Sequence, residues 1–64
     1  MHINGMEIKN ADNIYLYDYL IQNGYTISYV AVECNGSIVP KSQFKEKVLA
    51  DSDVVEIVSF VGGG

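Results

Sequence analysis

VVEIVSFVGGG, residues 54–64, decides how this chain folds. Its first seven residues are rich in β-branched side chains and alternate as a strand does. Val55 and Ile57 share one face, and Val54, Glu56, Val58 and Phe60 share the other. Three glycines follow the strand. Glycine loses more conformational freedom on ordering than any other residue, so a glycine run makes a poor packed terminus. Either the run is unselected fraying, or its backbone and terminal carboxylate are the working part of the molecule. Residues 1–60 are therefore expected to form the domain and residues 61–64 a flexible glycine tail.

The rest of the chain must supply neighbours for that strand. Asp51, Ser52 and Asp53 form a turn ahead of it. KSQFKEKVL (41–49) is expected to make a short helical turn capped by Ser42, with Phe44, Val48 and Leu49 as buried anchors. YVAVEC (29–34) is a second strand, with Val30, Val32 and Cys34 on one face. Asn35-Gly36 turns it into SIVP (37–40), where Pro40, lacking an N–H, ends the strand or lies at an edge. IYLYDYLIQNG (14–24) has helical periodicity, with Ile14, Leu16, Tyr17, Tyr19, Leu20 and Ile21 on one broad arc. Asn13 is placed to cap this helix and Gly24 to close it. MHINGMEIK (1–9) reads as a hairpin around Asn4-Gly5, with Ile3, Met6 and Ile8 as its apolar positions. Hairpins with one crossing helix imply an α+β domain. Its mixed sheet of four to five strands carries one main helix on one face, with the first hairpin and the last strand side by side at the centre. That arrangement is the β-grasp, or ubiquitin-like, roll.

Composition narrows the function. Sixty-four residues make one domain near the lower limit for an unaided core, and nearly half of them are apolar. Eight acids against four bases leave a net charge of −4, which argues against a phosphate-binding surface and so against nucleic acid. A single cysteine excludes an internal disulfide and fits a reducing compartment. No signal-peptide pattern is present, and no apolar run approaches the ~18 residues of a membrane span. A cytoplasmic protein without a membrane partner is expected.

Candidate chemistry is scarce. His2 stands alone in a strand, and Cys34 continues the buried alternation of Val30 and Val32, so it reads as a small hydrophobe. Asp51 and Asp53 read as turn residues rather than metal ligands, and no Cys/His set has zinc spacing. The glycines are not followed by a helix and form no phosphate loop. An independent enzyme is not expected, and neither a catalytic residue nor a metal site is assigned. What remains is surface: Val58 and Phe60 lie on the face opposite Val55 and Ile57, where they form a docking patch. Four residues beyond Phe60 reach roughly 13 Å when extended. Without side chains, Gly62, Gly63 and Gly64 can thread a channel too narrow for other residues and deliver the terminal carboxylate to another protein's active site.

The length, the strand order, NGSIVPKSQF (35–44) and DSDVVEIVSFVGGG (51–64) together resemble the ThiS family, the small sulfur carriers of thiamine biosynthesis. The resemblance covers the whole chain and implies the β-grasp fold. Gly63 and Gly64 match the family's terminal pair, and Gly62 adds reach. It further implies that an E1-like adenylyltransferase (ThiF-type), using ATP and Mg, activates the Gly64 carboxylate. A persulfide sulfur donor enzyme then converts it to a thiocarboxylate, which thiazole synthase (ThiG-type) consumes. Val58, Phe60, Val61 and Glu56 would form the partner-binding surface. The carrier would bind no cofactor itself, and Cys34 would not be the sulfur carrier. A carrier for another pathway such as molybdopterin, a modifier forming isopeptide bonds, and a plain β-grasp interaction module remain open on the same residues.

Overall fold

Two Asn-Gly dipeptides set the frame of the sheet. Asn4 and Gly5 have φ of 52° and 80°, and Asn35 and Gly36 have φ of 54° and 85°, the left-handed pair that a two-residue hairpin needs. In a computed structural model, which describes residues 1–9 and 12–60, the first turn joins β1 (His2–Ile3) to β2 (Met6–Glu7). Next come β3 (Ile14–Tyr15), α1 (Leu16–Gln22) and β4 (Val30–Cys34). The second turn joins β4 to β5 (Ser37–Ile38), and β6 (Val48–Leu49) and β7 (Val54–Ser59) complete the domain.

β7 is central. It runs parallel to β1, with His2 opposite Val54, and antiparallel to β4 from Val30–Ser59 to Cys34–Val55. The five-stranded order is β2-β1-β7-β4-β5, and β3 and β6 form a separate pair. This mixed sheet with one helix is the expected β-grasp. A parallel neighbour requires a crossover connection, and α1 lies on it.

Each turn asparagine also reaches β7. Asn4 Oδ1 accepts the Ile57 N–H at 2.7 Å, and Asn35 Oδ1 accepts the Val54 N–H at 2.9 Å. Asn35 Nδ2 donates to Asp53 Oδ1 at 2.9 Å, while Asp53 Oδ2 accepts the Ala50 N–H at 2.8 Å. The 51–53 turn is thus closed by its own aspartate, as expected of turn acids.

The helix begins later than its apolar pattern suggests. Ile14 and Tyr15 pair with Leu49 and Val48, so Tyr15 is the N-cap residue and no side chain caps the helix. Asn13, expected to cap it, instead turns the chain with φ of 59°. Backbone carbonyls take over the capping role: Leu16 N–H donates to Lys47 O at 2.9 Å, and Tyr17 N–H to Phe44 O at 3.2 Å. At the other end Gly24, φ 80°, is as expected. Gly24 N–H donates to Ile21 O and Tyr25 N–H to Leu20 O, the paired bonds of a Schellman motif. Seven residues are too few for an isolated helix, so docking holds α1 through Leu16 and Leu20, both fully buried.

The 41–49 segment departs from expectation in two ways. Its 3-10 turn, Lys41–Gln43, follows Pro40 as N-cap residue, and Ser42 makes no cap. Val48 lies in β6 and is exposed, while Phe44 and Leu49 are the buried anchors. Phe44 is the largest fully buried side chain. Around it gather Ile3, Val30, Val32, Cys34, Val55 and Ile57 from the inner sheet face, with Leu16 and Leu20 above. Met6, by contrast, is exposed. No helix of the described residues is long and apolar enough to cross a membrane.

Candidate functional site: the outer face of the last strand

Hydrogen-bond phase decides which way each residue of β7 faces. Phe60 N–H donates to Tyr29 O at 2.8 Å, so Val54, Glu56, Val58 and Phe60 bond toward β4. Their side chains alternate with the buried Val55 and Ile57 and stand on the outer face. Val58 is 57% exposed and Phe60 50%, as the sequence predicts. Glu56 is exposed beside them. Val61, Gly62, Gly63 and Gly64 lie outside the described residues.

The outer face is broader than the last strand alone. Ile38, opposite Glu33 on β5, is 74% exposed, and with Ala31, Glu33, Glu56 and Val58 it lines a concavity across three strands. Tyr29, paired with Phe60, extends the apolar surface toward the end of β7. Ile38 lies on β5, so the alternation of the last strand does not reveal it. The signal lay in the two-residue Asn35-Gly36 turn, which sets Ile38 against Glu33 and so onto the same face. Glu33 and Glu56 are directly opposite each other on this face. Two like charges so placed repel, and a cation from outside would relieve them.

Cys34 and the aspartates of the 51–53 turn lie away from this face. Cys34 is buried and unpaired; burial, and then the nearby Asp53 carboxylate, push its thiol pKa up, so it stays protonated near neutrality. The N–H of Ala50, and then the Asn35 amide, hold the Asp53 carboxyl below the usual aspartate range. Asp51 accepts from the Met1 ammonium at 3.5 Å. His2 is exposed on β1. Among the described residues, no three His, Cys, Asp or Glu side chains gather as metal ligands would. With its exposed apolar side chains, this surface is suited to binding a partner.

Comparison with known proteins agrees with this geometry. The sulfur carrier protein ThiS of Bacillus subtilis is 38% identical over the whole of this chain and 98% of its own length. A thiazole synthase of Paramagnetospirillum magneticum is 40% identical over 97% of this chain, which spans about a fifth (19%) of that protein. The crystal structure of the thiamine biosynthesis protein ThiS from Geobacter metallireducens superposes with a TM-score of 0.74 at 29% identity, covering 98% of this chain and 96% of that one. The ThiS family model matches residues 2–64. With fold, length and nearly every residue accounted for in this way, the chain belongs to the ThiS family.

Proposed function

We propose that this protein is a sulfur carrier of thiamine biosynthesis whose reactive group is the Gly64 carboxylate. The observation that carries the reading is the end-to-end similarity to the Bacillus carrier. A free carboxylate is a poor acyl donor, because its charge repels nucleophiles and oxide leaves badly. An E1-like adenylyltransferase removes both obstacles by joining the carboxylate to the α-phosphate of ATP, releasing pyrophosphate. The terminal sulfur of an enzyme-bound persulfide then displaces AMP, and a thiol reduces the resulting acyl disulfide to the thiocarboxylate. ATP and Mg belong to the activating enzyme.

Thiazole synthase is the proposed client. Two thiazole synthases, from Paramagnetospirillum magneticum and Magnetococcus marinus, contain a segment similar to all or nearly all of this chain within a single polypeptide. A carrier and its consumer joined in one chain supports a working relationship between them. Residues 61–64 act as the tail, and Gly62, Gly63 and Gly64 thread the partner's channel. Val58, Phe60, Val61 and Glu56 form the docking surface, and the exposed Ile38 is its apolar neighbour.

The test is intact mass after incubation with ATP, a sulfur donor and the activating enzyme of the same organism. The expected shift is one oxygen replaced by sulfur, located in the C-terminal peptide, retained in Cys34→Ala and lost when Gly64 is deleted. Adducts on substrate lysines would point instead to a protein modifier. No shift at all would leave a binding module.

A further inference from the structure

β7 is paired along its whole length on one side and only partly on the other. Toward β4 the ladder runs from Cys34–Val55 to Val30–Ser59 and continues in the Phe60–Tyr29 bond. Toward β1 it covers only Val54 and Val55, because β1 ends at Ile3. Asn4 extends that side slightly: its N–H donates to Val55 O at 2.9 Å and its side chain accepts the Ile57 N–H. There β1 turns away through Asn4-Gly5 into β2.

The strand's alternation fixes what lies beyond. Asp53 O, Val55 O and the Ile57 N–H bond toward β1, so the Ile57 carbonyl and both the N–H and carbonyl of Ser59 face the same way. Among the described residues β1 offers them no partner. Ser59, at the far end of that row, is exposed, as are Asn4 and Gly5 where β1 turns away. A row of unpaired backbone groups at a sheet edge is complementary to one thing above all, an extended peptide backbone.

We propose that the Ile57–Ser59 edge of β7 receives an extended segment of the activating enzyme, which adds a strand in the place that β1 vacates. This rests on the carrier reading. The location favours such an occupant, because a strand added here lies beside Ser59, next to Phe60, the last described residue before the tail. Backbone pairing at Ser59 sets the direction in which the following residues leave the sheet, while the outer face supplies apolar contact through Val58 and Phe60. Side chains would then confer affinity, and the edge would aim the terminus.

Two measurements test this. In isotope-labelled protein of natural sequence, the Ser59 amide should exchange freely in the isolated monomer and become protected by at least tenfold when the activating enzyme is added. Separately, residues 34–64 carrying N-methyl-Ser59 can be made synthetically and joined to residues 1–33 at Cys34. N-methylation removes only an N–H that points away from β4, so thermal unfolding should change little, while affinity for the activating enzyme falls roughly tenfold. A Ser59 amide that stays unprotected in the complex overturns the proposal, as does unchanged affinity of the N-methyl protein. Protection that rises with concentration of the carrier alone, together with a dimer in sedimentation, assigns the edge to a second copy and also overturns it. If the unmodified chain gains no sulfur in the mass assay, the carrier reading has failed. If it gains sulfur while Ser59 stays unprotected, only the edge has failed.

Discussion

The two faces of β7 are made from similar residues and have opposite fates. Val55 and Ile57 are 0% and 6% exposed, whereas Val58 and Phe60, a few residues along, are 57% and 50% exposed. Hydrophobicity does not separate them; parity does. The inner residues meet Leu16 and Leu20 of α1 and the ring of Phe44 in one core. Among the described residues nothing comparable covers the outer ones. An apolar residue on a strand is therefore core or contact according to which side the helix lies on, and the comparison can be broken by experiment.

The largest effect belongs to the inner face. Ile57→Ala removes buried methyl and methylene groups and leaves a cavity beneath the helix, so unfolding in denaturant should show a loss of about 2–5 kcal/mol. A loss under ~0.5 kcal/mol, typical of surface sites, would mean that the two faces have been assigned wrongly. Phe60→Ala is the mirror experiment. Its stability should stay within about 0.5 kcal/mol of the unmodified chain, while affinity for the activating enzyme falls about tenfold, as for a central apolar anchor. Unchanged activation kinetics would remove Phe60 from the docking surface.

The turn asparagines sharpen the same comparison, since each clips one side of β7. Asn35→Gly keeps the left-handed backbone but deletes the bonds to Val54 N–H and Asp53, and should cost about 1–2 kcal/mol. Asn4→Gly deletes the single bond to Ile57 N–H and should cost less, about 1 kcal/mol. The reverse order would mean that the β1 side of the strand carries more than its one side-chain bond.

The smallest effect is pH-dependent. Because hydrogen bonds hold the Asp53 carboxyl below the usual aspartate range, the unfolded chain takes up this proton at a higher pH than the folded chain. The stabilisation is therefore complete above the unfolded-state pKa, near 4, and is lost as pH falls through the folded-state value. Stability should decline across that acid range and decline less steeply in Asp53→Asn. An identical slope in the variant would assign the acid sensitivity to other carboxylates.

Much of this is legible in the amino-acid sequence, for local reasons. Strand periodicity placed Val55 and Ile57 opposite Val58 and Phe60, and two Asn-Gly dipeptides announced both hairpins, because few other residues accept consecutive positive φ angles. Gly24 marked the helix end by the same chemistry. The 35–44 and 51–64 segments pointed to the family that the comparisons bear out. Local preference also misleads. Asn13 and Ser42 are good capping residues, yet neither caps. For Asn13 the cause is distant. Ile14–Tyr15 and Val48–Leu49, two dipeptides 34 positions apart, pair with each other, and the carbonyls of Phe44 and Lys47 then reach the first helical N–H groups. No window of sequence contains that pairing. The chain by itself determined its two Asn-Gly turns, the faces of its two long strands and its family, because those depend on neighbouring residues and their backbone angles. Only the tertiary structure decided where α1 begins, how far β1 accompanies β7, and which groups of the last strand are left free, because those depend on contacts between distant segments.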